Sequence, residues 1–189
     1  MLFVINKTRK FEKTLRYIIN HKIMISNVIN LKNIKIKKAK QNEIEDICRI
    51  FREAFEPYRK YYTKQAFIHA ILLSHQELKD RLNDPNKSIL VAIYKNIIIG
   101  TISITFKDKY VYLHNMAVKP NYQGFGIGRF LMEEVERIVK EKGFYTIILE
   151  WFKPLKKAQV LYKKFGFKMT GKKIYFNGVV FFEMKKIII

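Results

Sequence analysis

Three alternating glycines open a helix in Val118-Lys-Pro-Asn-Tyr-Gln123-Gly124-Phe125-Gly126-Ile127-Gly128-Arg129. A strand ends at Val118, Pro120-Asn121 turns the chain, and an apolar-periodic helix follows. Such a junction aims several backbone N–H groups, with the helix dipole behind them, at one point where an anion can sit. Without Cβ atoms the glycines let the backbone approach a phosphate closely. The anion expected there is a pyrophosphate, which makes the junction a cofactor site.

Two better-known phosphate loops fit poorly. A P-loop requires Lys-Ser/Thr after its last glycine, and here Arg129-Phe130 follows. A dinucleotide fingerprint needs glycine at its first, third and sixth positions, but the sixth from Gly124 is Arg129. That fingerprint also needs a parallel βαβ unit, and the strands before this loop read as a hairpin meander. Glu150, at the end of the next strand, is the one feature in its favour.

The elements that position the loop are legible from Ile34 onward. Ile34–Lys38 alternates as a half-buried strand. Asn42 is placed to cap a helix with Ile44, Ile47, Ile50, Phe51 and Phe55 on one face, which Pro57 stops. A second helix is expected from Thr63 to about Leu82. Strands follow at Ser88–Tyr94, Ile97–Phe106 and Tyr110–Val118, joined by short turns. After the loop come a helix over Ile127–Lys142, a strand over Thr146–Glu150 and a helix near 155–165. Two strands, near 167–175 and 179–186, close the chain across Asn177-Gly178. The reading is one α+β domain, residues 34–189, behind a basic extension, residues 1–33.

Composition narrows the setting. The chain has 189 residues, 49% of them hydrophobic. Cys48 is its single cysteine, so neither a disulfide framework nor a zinc site is expected. No apolar run reaches the length of a membrane span, and a cytoplasmic location is expected. Met24 is an alternative start. The net charge of +21 suits an anionic partner, although heavy use of Lys, Ile and Asn accounts for much of it. Lys7, Arg9, Lys10, Lys13, Arg16 and Lys22 would make a basic arm, so nucleic-acid binding stands as an alternative from a different class.

The glycine segment resembles the central motif of the GNAT acetyltransferase superfamily, Gln/Arg-x-x-Gly-x-Gly/Ala after a strand ending in Val. Ala158-Gln-Val-Leu-Tyr162-Lys-Lys-Phe-Gly166-Phe167 is similar to the family's late helix. The resemblance covers about residues 34–186. It implies a mixed, mostly antiparallel sheet of six to seven strands flanked by about four helices, acetyl-CoA as cosubstrate, no metal and a primary amine as acceptor. The branch it is most like is the ribosomal-protein N-terminal acetyltransferases.

The resemblance also assigns roles. Amides from Gly124 through Arg129 (Phe125, Gly126, Ile127 and Gly128 between them) would hold the pyrophosphate, and the Arg129 guanidinium would add charge. The backbone of Met116, Ala117 and Val118 would pair with the pantetheine arm, and an N–H near Met116 would meet the oxyanion. Tyr162 would touch the cofactor and protonate the leaving thiolate. Glu150 would act as base, with His114 or water as rivals. Strand alternation sets residues 114 and 116 on one face of the strand and 115 and 117 on the other.

The chain departs from the pattern at Leu155, where the family often has a cofactor-contacting Asn, and at Trp151. Acceptor choice is expected to fall to Glu56–Tyr62 and Tyr175–Gly178, whose aromatic rings would surround an amine or a peptide N-terminus. His21, His69 and His75 show no ligand spacing. A non-catalytic acetyl-CoA sensor is a third alternative. The state is expected to be monomer or homodimer.

Overall fold

The computed structural model of the chain describes residues 30–70 and 73–188. Two units divide the chain, residues 1–34 and 35–189. Of the first, a 3-10 turn at Leu31–Asn33 is described, where the Asn30 carboxamide oxygen accepts the Lys32 N–H at 3.0 Å. The cationic residues of the expected basic arm, and His21 and Met24, lie outside the described residues.

The second unit is a seven-stranded sheet: β1 (Lys35–Lys38), β2 (Lys87–Tyr94), β3 (Ile97–Phe106), β4 (Val111–Val118), β5 (Thr146–Phe152), β6 (Lys168–Phe176) and β7 (Val179–Ile187). Its order is β1-β2-β3-β4-β5-β7-β6. Every pairing is antiparallel except β4 with β5. Asn96 (φ 62°) and Asn177 (φ 46°) take the left-handed conformations that their tight turns require.

Five α-helices are described: α1 (Ile44–Phe55), α2 (Lys64–Ala70), α3 (His75–Asn83), α4 (Ile127–Glu141) and α5 (Lys156–Lys164). Helix α1 buries Ile47, Ile50 and Phe51 against Ile89, Val91 and Ala117 of the sheet. Helix α4 covers the other face. A Cβ on Gly100 of β3 would stand 3.1 Å from Ile127 and 3.3 Å from Leu131, so a glycine lets this helix seat against the strand. Because both faces are covered, β2 and β3 are apolar almost throughout. Strand β6 lies at the edge and is exposed everywhere except Ile174, which is half-buried.

Two local expectations are corrected. The helix anticipated over 63–82 is two helices, because Ser74 begins a new one. Its hydroxyl accepts the Glu77 N–H at 3.1 Å, and the Glu77 carboxylate accepts the Ser74 N–H at 2.7 Å. The start of α1 is fixed by Glu43 rather than Asn42. The Glu43 carboxylate accepts the Lys40 N–H at 2.8 Å and pairs with Lys37 at 2.7 Å.

The parallel pairing of β4 with β5 decides the rest. It covers only Val111–Ile147, Tyr112–Ile148 and Leu113–Leu149. Beyond these residues the β4–β5 ladder ends and the strands part, next to Met116, Ala117 and Val118.

Candidate active site

A cleft of about 880 Å³ lies where β4 and β5 part. The glycine loop, the start of α4 and helix α5 supply one side of its lining. Helix α3, the 3-10 turn Glu56–Tyr61 and the β6–β7 hairpin contribute to the lining as well.

In the loop, Gly124 (φ 90°) and Gly126 (φ 83°) are left-handed. A Cβ at either would meet nothing within 4 Å, so backbone conformation, not crowding, calls for glycine. Gly128 differs. It sits inside α4, and its Cβ would stand 3.1 Å from Leu161, so its role is close approach of α4 to α5. No amide from Gly124 to Arg129 donates to a described backbone carbonyl, leaving this row of N–H groups available. Gln123 pins the loop by donating from Nε2 to the Val118 carbonyl at 3.0 Å. Arg129 is exposed and its Nε is held by Glu133 at 2.7 Å. Met116, Ala117, Val118, Gly124, Gly126, Ile127, Gly128 and Arg129 line the cleft, whereas the Phe125 side chain does not.

Strand β4 is not regular. Thr101 faces Ala117 but Ser103 faces His114, so β4 carries one extra residue, with Asn115 at φ 51°. This bulge overturns the alternation read from sequence. His114 and Ala117 oppose two residues of the same β3 face, so they share that face. Met116 turns toward the other, where its sulfur lies 4.0 Å from a Cβ built on Gly128. A bulge also takes one residue's backbone out of the ladder, here beside Met116.

Three proton-handling groups converge on the cleft. Tyr162 is 7% exposed and lines it from α5. Burial pushes its hydroxyl above the usual tyrosine value, so it keeps its proton near neutrality. Glu150 lines the cleft from β5. Burial also raises Tyr112, and Glu150 adds to the effect both as hydrogen-bond acceptor and as charge.

His114 is enclosed. Its Nε2 lies 2.9 Å from the Thr105 hydroxyl, and its Nδ1 lies 2.8 Å from Asn115 Oδ1 and 3.1 Å from Arg81 Nη1. Burial first, and the Arg81 charge second, push it down to about 4. It is therefore neutral near pH 7, has both nitrogens engaged, and is a weak base.

At the acceptor end, Tyr58 and Tyr62 line the cleft while Tyr61 is half exposed. Tyr62 packs on Phe152 at 4.6 Å between ring centroids. Thr63 Oγ1 donates to the Asn177 carbonyl at 2.7 Å, which ties the hairpin tip to this segment. Phe176 joins the lining, but Tyr175 is 74% exposed. Glu56 pairs with Arg59 and lies outside the lining. Leu155 offers the cleft an apolar side chain where a carboxamide had been looked for, and Trp151 donates to the Met169 sulfur at 3.3 Å. His69 lines the cleft and His75 sits 2.6 Å from Glu45. No cluster of metal-ligating side chains occurs among the described residues.

Sequence reasoning missed Arg81 and Tyr112. Tyr112 lies two residues before His114, so alternation alone would have placed it on the same face. Arg81 had no local signal, since a cation in the last turn of a helix is ordinary.

Comparison with known proteins agrees with this arrangement. Residues 39–188 match the family model of the acetyltransferase (GNAT) domain. A [ribosomal protein bS18]-alanine N-acetyltransferase of Haemophilus influenzae is 32% identical over 111 residues, 58% of this chain and 74% of that protein. A thialysine N-epsilon-acetyltransferase of Sus scrofa is 27% identical over 152 residues, 71% of this chain and 84% of that protein. Among solved structures, PaiA N-acetyltransferase from Thermoplasma acidophilum in complex with coenzyme A superimposes with a TM-score of 0.71. It shares 23% identity and covers 82% of this chain and 98% of that one.

Proposed function

The chain belongs to the GNAT acetyltransferase family, and on that premise we propose that it moves an acetyl group from acetyl-CoA to a primary amine by direct attack in a ternary complex. The acceptor is a peptide N-terminus or a small amine. The observation that carries the reading is the splay of β4 from β5 directly beside a loop whose six amides lack backbone acceptors. The transferase domain is residues 34–189, with residues 1–33 as a basic extension, and the protein acts in the cytoplasm. Among the described residues no helix is long and apolar enough to cross a membrane.

Each step falls to a named group. Amides of Gly124 through Arg129 hold the pyrophosphate, and the free edge of Met116, Ala117 and Val118 pairs with the pantetheine amides as a strand would. Glu150 takes the proton of the acceptor ammonium, directly or through water. The freed nitrogen forms a C–N bond to the thioester carbonyl carbon, and an N–H near Met116 stabilises the oxyanion. The C–S bond then breaks, Tyr162 gives its proton to the departing thiolate, and the second proton of the attacking nitrogen leaves as the neutral amide forms and restores the Tyr162 hydroxyl, directly or through water. The low basicity of His114 favours Glu150 as the base.

Calorimetric titration with acetyl-CoA, followed by thiol release on a panel of amines, tests the reading. Gly126→Val should abolish binding. Tyr162→Phe should keep binding within about twofold while kcat falls roughly 100-fold. An unchanged kcat in Tyr162→Phe would remove the acid role. Wild-type protein that ignores acetyl-CoA would end the transferase reading, and binding without turnover of any amine would promote the sensor alternative.

A further inference from the structure

The cleft holds one charged group that acetyl transfer does not use. Arg81, on α3, lines the acceptor side of the cleft. Its Nη1 donates to Asn115 Oδ1 at 2.7 Å and lies 3.1 Å from His114 Nδ1. Its Nε and Nη2 bond to no described residue and are not sealed from solvent. It forms no ion pair with a described carboxylate. Glu77, one turn back on the same helix, acts on the guanidinium by charge without touching it, so a fork partly stripped of water keeps open donors for an anion.

A row of side chains links this cation to the expected base. Glu150 meets Tyr112, the Tyr112 and His114 rings lie 5.7 Å apart, and His114 meets Arg81. Glu150 also faces Glu183 across the β5–β7 ladder. One end of the row is therefore anionic and the other cationic, with two rings between. Of the other cations lining the cleft, Arg129 belongs to the glycine-loop helix and Lys156, Lys157 and Lys164 to the helix of Tyr162. Lys87 and Lys107 add positive charge around His114 without lining the cleft, so among the described residues Arg81 is the one lining cation outside the loop helix and the Tyr162 helix, which matches a monoanion such as a carboxylate better than a phosphate.

We propose that the acceptor is a zwitterion whose amine is presented to Glu150 while its carboxylate docks on the free edge of Arg81. Two rings lie between the poles, so the two groups are separated by several bonds. An ω-amino acid or the side-chain amine of a diamino acid fits, whereas the adjoining groups of an α-amino acid do not span the row. The inference rests on the transferase reading and narrows its acceptor.

The test compares γ-aminobutyrate, ε-aminohexanoate and lysine with their carboxamides as acceptors, following thiol release. Acetyl-CoA titration and thermal unfolding of each variant serve as controls. Wild-type protein should prefer the carboxylate form by roughly 10- to 100-fold in kcat/KM. Arg81→Gln should erase that preference through KM, leave kcat and the carboxamide reactions within about twofold, and still bind acetyl-CoA; Arg81→Lys should restore part of it. Equal use of carboxylate and carboxamide by wild type overturns the inference, as does an Arg81→Gln that slows both alike. A panel in which no carboxylate form is acetylated or bound overturns it as well. If Arg81→Gln does not fold, the wild-type comparison decides alone. Failure of wild type to bind acetyl-CoA removes the transferase reading and this inference with it, whereas binding with indifference to the carboxylate removes this inference only.

Discussion

His114, enclosed beside the cleft, ties the stability of the fold to pH. Its folded-state value of about 4 lies below the ordinary 6.5, so between those pH values the unfolded chain takes up a proton that the folded chain refuses. Stability contributed by the neutral ring is complete above pH 6.5 and is lost as pH falls toward 4. Allowing for solvent screening at its partly exposed ring, the loss from pH 7 to pH 5 is about 1–2 kcal/mol. Urea unfolding at the two pH values should show this loss in wild type and a smaller one in His114→Gln. Equal losses in both proteins would mean that burial and the Arg81 charge do not hold the ring neutral. The same variant separates stability from chemistry: if Glu150 is the base as proposed, transferase activity near neutrality should survive His114→Gln and be lost in Glu150→Gln.

The elements of the site were legible to differing degrees, for identifiable reasons. The glycine loop, the helix it opens and the two tight hairpin turns were readable because each depends on residues adjacent in sequence. Glycine at positive φ and Asn-Gly at a turn are local requirements. The break between α2 and α3 was also local, since Ser74 and Glu77 spell a capping box, but the apolar pattern through Phe67 and Leu78 masked it. The β4 bulge was not legible, because it is defined by register against β3 and Asn115 marks it only once φ is known. Two substitutions test that element. Asn115→Gly should be tolerated by the backbone, which adopts φ 51° freely with glycine. Asn115→Val should cost about 1–3 kcal/mol, because a β-branched residue resists left-handed geometry. If Val and Gly are equally stable by urea unfolding, the bulge can slide, and the face-sharing of His114 with Ala117 is not enforced by this residue. The Gly variant also loses the acceptor for the Arg81 guanidinium, so it should weaken carboxylate preference without slowing the reaction with carboxamides.

At the scale of the whole molecule, the sheet is two blocks joined along a short seam. Strands β1 to β4 form one antiparallel block and β5, β7 and β6 the other, and three residue pairs of the β4–β5 ladder connect them. Helix α4 adds a crossing link where Lys186 of β7 ion-pairs with Glu136. Backbone groups of Met116 and Ala117 on the open edge exchange with solvent until an extended ligand supplies their partners. On the proposed binding mode, a pantetheine arm laid along that edge would replace strand contacts as well as place the thioester. Binding linkage sets the size of the effect: acetyl-CoA at about 100 times its Kd should stabilise the fold by about 2.7 kcal/mol. For a chain of this length that corresponds to a rise in Tm of roughly 5–10 °C. Hydrogen exchange should show where the stabilisation resides. Amides of residues 114–118 and of the loop at 124–129 should slow most on adding acetyl-CoA, while those of β2 and β3, already paired on both edges, should change little. Salt should weaken the effect, since the anionic cofactor meets a chain of net charge +21. A rise in Tm without protection at 114–118 would place the cofactor away from the splay, and the roles given to Met116, Ala117 and Val118 would fall with it.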